Sequence, residues 1–380
     1  MSFEHYIRSG QKLLRCGYTT GTCATLAACG AAGLLLSGSA PKTVSLITPA
    51  GLRVEIEPEF CRLSENGAEC GIIKDAGDDS DITNGTLVVC YVNLIETRTV
   101  RISGGTGIGR VTKPGLDQSV GEYAINSVPR KMISSVLNEL SELCCYDGGF
   151  EVTVSIPEGE ALAKKTFNPM LGIDGGLSVL GTSGIVEPMS EKALLDTIEI
   201  EITQAAITSK RLILTPGNYG MDFLKSEAGL PSWVPVVKCS NFIGDALDMA
   251  AAKGFTEVLL VGHIGKLVKL AGGIMNTHSK TADCRTELFC AHAAICGADT
   301  QTCIALMDCA TTDACIDILK AAGLYERVMD SILLAVQRQL CHRAGEKFLT
   351  GAILFSNVHG QLGITEGAGR LLDSWKENGL

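Results

Sequence analysis

A glycine-rich stretch from 104 to 131 holds many of the side chains in the first half of the chain that could bind a ligand. This stretch is net positive, although the whole chain has a formal net charge of -10. Its charged residues are Arg110, Lys113, Arg130 and Lys131 against Asp117 and Glu122. A local cationic patch on an acidic protein suits a small anionic ligand better than nucleic acid, which is bound through many Lys and Arg contacts to phosphate. The alternative is that these cations only line a solvated rim, and charge alone does not decide between the two.

The composition of the same stretch predicts an ordered, ligand-facing loop. Its glycines permit backbone angles that are closed to other residues, and its prolines bar a continuous helix. Among them are Gly104, Gly105, Gly107, Gly109, Pro114 and Pro129. A second stretch, from 162 to 190, combines glycines with the polar residues Lys164, Lys165, Thr166, Asn168 and Thr182. We expect both stretches to line one cleft.

Two polar clusters precede these stretches. Thr19 and Thr20 open an apolar segment that is predicted to be a buried helix, and its N-terminus could attract an anion. The same threonines could equally serve only as caps. Four aspartates between 75 and 81 lack the glycine and the closing glutamate of a calcium loop, so no metal site is predicted there. They could accept hydrogen bonds from sugar hydroxyls, face a positive ligand group, or cap an acidic turn.

The second half of the chain alternates strand, turn and helix. The apolar segments RLILT, PVVKC and EVLLV each end in a turn that contains Gly or Asn, which is typical of a mostly parallel sheet. Ligands bind beyond the carboxyl ends of such strands, so these turns are predicted to share one edge. The turn residues include Gly217, Asn218, Asn241, Gly262, His263, Gly265 and Lys266. His278 and Asp283 follow closely enough to join that edge, although a lone histidine is often only a hydrogen-bonded structural residue.

The length of 380 residues exceeds one ordinary hydrophobic core and predicts two domains. We expect an α+β N-terminal domain over 1–205 with glycine-rich substrate loops, followed by an α/β domain over 206–350 with a mostly parallel sheet. The second domain is the expected cofactor-binding domain. Residues 351–380 are predicted to form a C-terminal hairpin and a tail, which the sequence does not assign to either domain.

Several functional classes are disfavoured. Lys266 is not followed by Ser or Thr and lacks the spaced glycines of a phosphate loop, and Pro114 stands where a dinucleotide-binding fold needs a helix. No apolar run approaches the roughly 18 residues that span a bilayer, and the N-terminus lacks a secretory core. Sixteen cysteines without a C-x-x-C pair indicate free, buried thiols. The expectation is a cytoplasmic protein without membrane, nucleic acid or a metal site of its own.

Motifs in five regions between residues 15 and 290 are more specific. They are GYTTGTCA, KDAGDDSDIT, GGTGIGRVTKPGL with AINSVPR, KKTFNPMLGI with GTSGIVEPMS, and GHIGKLVKLAGGIMNTHS. In this order they resemble the cobalt-precorrin-5B C1-methyltransferase family of anaerobic cobalamin biosynthesis. The resemblance implies transfer of a methyl group from S-adenosylmethionine to C1 of a cobalt-bound corrin precursor, giving cobalt-precorrin-6A. The cobalt would belong to this anionic substrate and not to the protein.

The resemblance also suggests roles for the candidate residues. Acetate and propionate side chains of the corrin would explain why cations gather in glycine-rich loops, since Arg can hold a carboxylate bidentately. The expected catalytic residues are Lys113, Asn126, Arg130 and His278. The expected substrate-binding residues are Thr19, Thr20, Arg110, Lys164, Lys165, Asn168 and Thr182. The expected cofactor-binding residues are Gly217, Asn218, Gly262, His263, Gly265 and Lys266.

Three positions depart from the family pattern, where glutamate, arginine and proline are common in place of Thr106, Met170 and Ser127. The loss of a cation at Met170 puts a carboxylate contact there in doubt. Two other functions stay open: a corrinoid carrier that binds no methyl donor, and an enzyme acting on a phosphorylated metabolite. A homo-oligomer is compatible with the sequence, which does not determine the oligomeric state.

Overall fold

The computed structural model describes residues 3–9, 11–166, 168–226 and 231–377. Two compact units divide the chain, Met1–Glu191 and Lys192–Leu380. This division falls earlier than the boundary predicted at 205. The fold class is the predicted one, an α+β unit followed by a unit with a mostly parallel five-stranded sheet.

The N-terminal unit begins with short strands and one long helix and continues with a five-stranded sheet. Its strands are β1 (Tyr6–Ser9), β2 (Lys12–Arg15), β3 (Gly17–Tyr18), β4 (Val44–Ile47), β5 (Arg53–Ile56), β6 (Phe60–Ser64), β7 (Gly67–Ile73), β8 (Leu87–Ile95), β9 (Val100–Gly104), β10 (Arg110–Val111), β11 (Gly149–Ser155), β12 (Ile173–Asp174) and β13 (Ile185–Val186). Its helices are α1 (Thr20–Ser37), α2 (Ser127–Cys144), α3 (Gly159–Ala163) and α4 (Asn168–Leu171). The main sheet has the order β6-β7-β8-β11-β9, in which only β11 and β9 run parallel.

Helix α1 fills the core of this unit. It is apolar on every face, and its small residues let β7, β8 and α2 pack closely against it. A Cβ added at Gly30 would lie 2.6 Å from Cys70 Sγ, so only glycine allows that approach. Among the described helices α1 is long and apolar enough to cross a bilayer, yet 72% of it is buried inside the unit, as in a core helix.

The C-terminal unit is a sheet with helices on both faces. Its strands are β14 (Arg211–Thr215), β15 (Val236–Lys238), β16 (Glu257–His263), β17 (Leu349–Ser356) and β18 (Gly360–Ile364). Its helices are α5 (Glu191–Thr208), α6 (Asn218–Ser226), α7 (Ile243–Ala252), α8 (Ile264–Leu267), α9 (Arg285–Ile295), α10 (Thr300–Met307), α11 (Thr312–Ala321), α12 (Tyr325–Ala344) and α13 (Glu366–Glu377), with a 3-10 segment over Val268–Gly272. The strand order is β15-β14-β16-β17-β18, and only β18 is antiparallel.

Alternate residues of each strand feed two separate cores. In β14, Leu212 and Leu214 belong to a core that includes residues of α7 and α12, while Ile213 belongs to a second core that includes residues of α13. The strands are therefore apolar throughout because both of their faces are covered. The C-terminal hairpin joins this sheet through β17, and the predicted tail contains α13, whose Trp375 is fully buried against the sheet.

Candidate functional sites

The two glycine-rich stretches of the N-terminal unit lie side by side. Strand β10 pairs with β12, and Ile108 and Ile125 form bridges to Leu177 and Val179. The backbones approach so closely that a Cβ at Gly176 would lie 2.3 Å from the carbonyl oxygen of Gly107. The first stretch is thus an ordered loop held by backbone pairing, and the second stretch is its neighbour. Phe167, within the motif KKTFNPMLGI, lies outside the described residues.

Exposed cations project from this paired region. The guanidinium of Arg110 stacks 3.9 Å above the ring of Tyr123 and donates to the carbonyl oxygen of Gly121 at 2.7 Å. Lys113 Nζ donates to the carbonyl oxygen of Met170 at 3.1 Å. Lys164 and Lys165 are exposed, and Lys164 forms a long surface ion pair of 3.9 Å with Glu160. These side chains are accessible to a carboxylate in solution.

Arg130 is more strongly tied to the fold. It is half-buried, and its Nε and Nη1 donate to the carbonyl oxygens of Ile125 (2.8 Å) and Ile102 (3.0 Å). The side chain therefore links the first turn of α2 to β9. The predicted catalytic role of Arg130 stays a prediction. The structure adds a structural role for the same side chain.

Asn126 occupies the N-cap position of α2 but makes no cap hydrogen bond with its side chain. An N-cap side chain normally accepts from the second or third helical N–H, and the third helical residue here is Pro129, which has none. Asp117 caps the helix instead, accepting from the backbone N–H and from Oγ of Ser127. Burial would raise the pKa of Asp117, but the hydrogen bonds from Gln118 and Ser127 outweigh it and lower the pKa. The Asn126 carboxamide is therefore not used for capping.

Other predicted substrate residues are engaged inside the unit. Thr19 is the N-cap of α1 and accepts from Thr22 N at 3.3 Å, while Thr20 Oγ1 accepts from Leu180 N at 3.0 Å. Asn168 is buried and donates to the carbonyl oxygen of Gly176 at 3.3 Å. Thr182, by contrast, is exposed. The capping arrangement considered for Thr19 is the one observed.

The acidic cluster is an internal set of ion pairs and caps. Asp75 forms a bidentate pair with Arg15 (2.6 and 2.8 Å), which lowers the pKa of Asp75. Asp81 pairs at 2.5 Å with Lys74, which is only 2% exposed. Asp78 and Asp79 accept from the backbone N–H groups of Arg15 and Met189. The third interpretation of the cluster, an acidic turn that caps backbone donors, therefore describes it best.

In the C-terminal unit, the predicted cofactor residues lie at the carboxyl ends of the strands at which the sheet order reverses. Gly262 and His263, predicted to lie in a turn, are instead the last two residues of β16. The chain adds β15 on one side of β14 and then β16 on the other, and the crevice at such a switch point is where open α/β sheets bind ligands. Gly217 and Asn218 follow β14, and Lys266 follows β16 in α8. Lys266 Nζ donates across the switch point to the carbonyl oxygen of Pro216 at 3.1 Å. The structure thus places these residues around one crevice.

Two histidines belong to the same edge. His263 Nδ1 accepts from Gly265 N at 3.0 Å, which requires an unprotonated nitrogen, and burial lowers the pKa of His263 against the opposing effect of Asp313. Its ring lies 6.4 Å from that of Tyr219, which is exposed. His278 is exposed, and its Nδ1 accepts from Lys280 N at 3.0 Å. Both histidines therefore have local structural partners.

A cavity of about 290 Å³ lies beside the switch point. It is lined by Asn241, Gly265, Lys266, Lys269, Thr277, His278, Ser279, Asp283 and Arg285. Lys269 and Arg285 were not predicted from the sequence to belong to a site. Lys269 was missed because it lies in the apolar run VKL. A lysine in such a run is expected to be buried, as Lys269 is, and this could have indicated a site. Among the described residues, no group of three or more His, Cys, Asp and Glu side chains could hold a metal ion.

Comparison with known proteins gives the family. A family profile described as CbiD matches residues 7–188, and one described as CbiD, C-terminal domain, matches residues 276–366. A protein of Ruminiclostridium cellulolyticum is 46% identical over 360 residues, which cover 94% of this chain and 93% of the relative. The chain belongs to the CbiD family. The family predicted from the motifs is therefore confirmed.

Two relatives of this CbiD family member carry the same name. The protein of R. cellulolyticum is called cobalt-precorrin-5B C(1)-methyltransferase, as is one from Alkaliphilus metalliredigens, 39% identical with 99% of each chain covered. A crystal structure described as the cobalamin biosynthesis protein cbiD of Archaeoglobus fulgidus is 28% identical, covering 76% of this chain and 87% of the other. Its TM-score is 0.39.

Proposed function

We propose that this chain transfers a methyl group from S-adenosylmethionine to C1 of cobalt-precorrin-5B and so forms cobalt-precorrin-6A. The observation that carries the proposal is the full-length identity of 39–46% to relatives named for this reaction. The agreement extends across both units and does not rest on a single motif.

The cations of the N-terminal unit support a substrate with many carboxylates. Arg110, Lys113, Lys164 and Lys165 are exposed around the paired glycine-rich stretches, within a chain of net charge -10. Such fixed cations can orient an anionic ring by pairing with its acetate and propionate arms. We assign substrate positioning to this region, with the carboxamide of Asn126, which makes no cap hydrogen bond at the start of α2, as a further contact.

The switch point of the C-terminal unit supports a site for the methyl donor. Gly217, Asn218, Gly262, His263, Gly265 and Lys266 are the residues that would hold it. Two features fit these residues to the methyl donor. One is the adjoining cavity of about 290 Å³, and the other is Lys266, whose ammonium donates to only one carbonyl among its described contacts. S-adenosylmethionine supplies an electrophilic methyl group on a sulfonium.

Alignment would contribute most of the catalysis. Positive charge disperses as a methyl group leaves a sulfonium, so a strongly negative site would stabilise the reactants more than the transition state. The described lining of the cavity has three cations and one carboxylate, which avoids that effect. Fixing two partners in a reactive geometry can lower a barrier by roughly 7 to 11 kcal/mol. No nucleophilic side chain is needed, and the carbon of the ring is the nucleophile.

Anaerobic incubation of the full chain with methyl-labelled S-adenosylmethionine and cobalt-precorrin-5B tests the proposal. We expect S-adenosylhomocysteine and a corrin that is heavier by one labelled methyl group, detected by mass spectrometry. An unchanged corrin, with the substrate intact and the protein folded, would refute the activity and favour a corrinoid carrier.

A further inference from the structure

A cluster of charged side chains surrounds the cavity next to the switch point. Lys266, Lys269 and Arg285 supply three positive charges, and Asp283 is the one carboxylate among the described residues of the lining. We propose that this cavity is a carboxylate-binding site that anchors one arm of a ligand. The identity of that ligand rests on the proposed function.

The single carboxylate of the cavity is already shared. Asp283 accepts from Arg285 Nε (2.5 Å) and Nη2 (2.9 Å), and its Oδ1 is 3.7 Å from Lys269 Nζ. Lys269 is 3% exposed and otherwise donates to the carbonyl oxygens of Thr277 (3.2 Å) and Ala282 (2.8 Å). A buried ammonium needs compensating negative charge, and here it has only part of one carboxylate.

Lys266 has no carboxylate within ion-pair distance in the described part of the chain. Burial lowers its pKa, and the nearby ammonium of Lys269 lowers it further, against an opposing effect of Cys239. Its one described hydrogen bond goes to the carbonyl oxygen of Pro216, so it retains donors for another group. A ligand carboxylate near Lys266 would reduce the repulsion between the two ammonium groups.

Neutral groups hold the wall of the cavity in place. Thr277 donates to Asn241 through its backbone N–H (2.9 Å, to the carbonyl oxygen) and through Oγ1 (3.4 Å, to Oδ1). Accepting at Oδ1 leaves the amide NH₂ of Asn241 as a donor. Ser279 adds an exposed hydroxyl to the lining. Charge and hydrogen-bond donors thus converge on a space suited to an acceptor group.

The volume limits how much of each ligand could enter. Sites that enclose a whole drug-sized molecule span about 300 to 1,000 Å³, so a cavity of about 290 Å³ lies at the lower limit of that range and fits an arm of the corrin but not its macrocycle. Two ligands of the proposed reaction have a carboxylate on a flexible arm. One is the amino-acid end of the methyl donor, and the other is an acetate or propionate arm of the corrin.

Binding measurements on the full-length variant Lys266→Met separate these sources. The ligands are S-adenosylhomocysteine, methylthioadenosine, which has the nucleoside thioether without the amino-acid carboxylate, and cobalt-precorrin-5B. Lys280→Met is the matched control, because this substitution removes the same charge at an exposed position that does not line the cavity. Thermal unfolding verifies that both variants are folded.

If the donor provides the carboxylate, Lys266→Met weakens S-adenosylhomocysteine binding at least tenfold and changes methylthioadenosine binding less than threefold. If the corrin provides it, only the cobalt-precorrin-5B affinity falls tenfold. Equal losses for both nucleosides, or no change for any ligand relative to Lys280→Met, would overturn the proposal.

Stabilisation by succinate, a simple dicarboxylate, distinguishes failure of this site from failure of the proposed function. If the wild-type chain binds neither nucleoside nor corrin, the proposed function fails. A rise in the unfolding temperature with succinate that is lost in Lys266→Met would still support the carboxylate site. Absence of that Lys266-dependent rise in such a protein would refute the site as well.

Discussion

Lys74 and Asp81 form the most buried ion pair described in the N-terminal unit. Burial alone would raise the pKa of Asp81, but the Lys74 ammonium and hydrogen bonds from Lys74 and Thr83 outweigh it and lower the pKa. The folded-state pKa thus lies below the unfolded value of about 3.9. The stabilisation is therefore present above about pH 4 and is lost as pH falls through the folded-state pKa.

We predict that Asp81→Asn lowers the free energy of unfolding at neutral pH by about 2 to 3 kcal/mol. This is less than for a fully buried pair, because Asp81 is 29% exposed. The difference from wild type should shrink as pH falls below about 4. Urea unfolding at several pH values measures both effects. Asp147→Asn, at an exposed position, is the control, and an equal effect of the two variants would contradict the account.

Arg130 should affect stability as well as binding. Arg130→Ala removes charged hydrogen bonds to two carbonyl groups, and we expect a loss of about 2 kcal/mol in the free energy of unfolding. We also expect the affinity for cobalt-precorrin-5B to fall at least tenfold while that for S-adenosylhomocysteine changes less than threefold. Titration calorimetry measures both affinities. A larger loss for S-adenosylhomocysteine would place Arg130 at the donor.

At the level of elements, the first glycine-rich stretch packs closely at Gly107 against Ile156, the residue that follows β11. Gly107 has a φ of +72°, and a Cβ there would lie 1.9 Å from a backbone oxygen. Gly175 has a similar φ of +80° with nothing within 4 Å. Alanine at either position bears the left-handed strain, about 1 to 2 kcal/mol, but only Gly107→Ala adds a backbone clash. We predict that Gly107→Ala lowers the free energy of unfolding by at least about 3 kcal/mol and that Gly175→Ala lowers it by less than about 2 kcal/mol, measured by urea unfolding. Equal losses would contradict the described packing.

The regular elements could be predicted from local patterns. Leu212 to Leu214 are apolar in succession because both faces of β14 are covered, and this pattern identified the parallel sheet. The turn after β14 then fixed the edge at which Gly217 and Asn218 lie. The helix α13 was missed within the predicted tail, although Ala368, Leu371 and Trp375 recur at helical spacing and are all buried.

The site could be predicted less completely, because tertiary contacts decide which polar groups are free. Thr20 and Asn168 resemble ligand contacts in sequence, but Leu180, 160 residues from Thr20, and Gly176, 8 residues from Asn168, occupy their hydrogen bonds. Conversely, Asn126 is free of capping because Asp117 reaches α2 from a preceding loop. No local pattern indicates these pairings.

For the whole molecule, we assign the methyl donor to the C-terminal unit and the macrocycle of the corrin to the N-terminal unit. We predict that S-adenosylhomocysteine slows hydrogen exchange in the turns after β14 and β16 of the C-terminal unit. Cobalt-precorrin-5B should instead slow exchange over 104–131 and 162–182 of the N-terminal unit. Hydrogen exchange with mass spectrometry on the full chain measures both. Protection by each ligand of the opposite segments would reverse the assignment.

The position of the transferred methyl group on the corrin shows whether the chain methylates C1. The full chain is incubated without oxygen with cobalt-precorrin-5B and S-adenosylmethionine carrying a labelled methyl carbon, and the isolated corrin is examined by NMR. The account predicts one enriched methyl signal, bonded to C1. A corrin without the label, or with the label on another ring carbon, would contradict it.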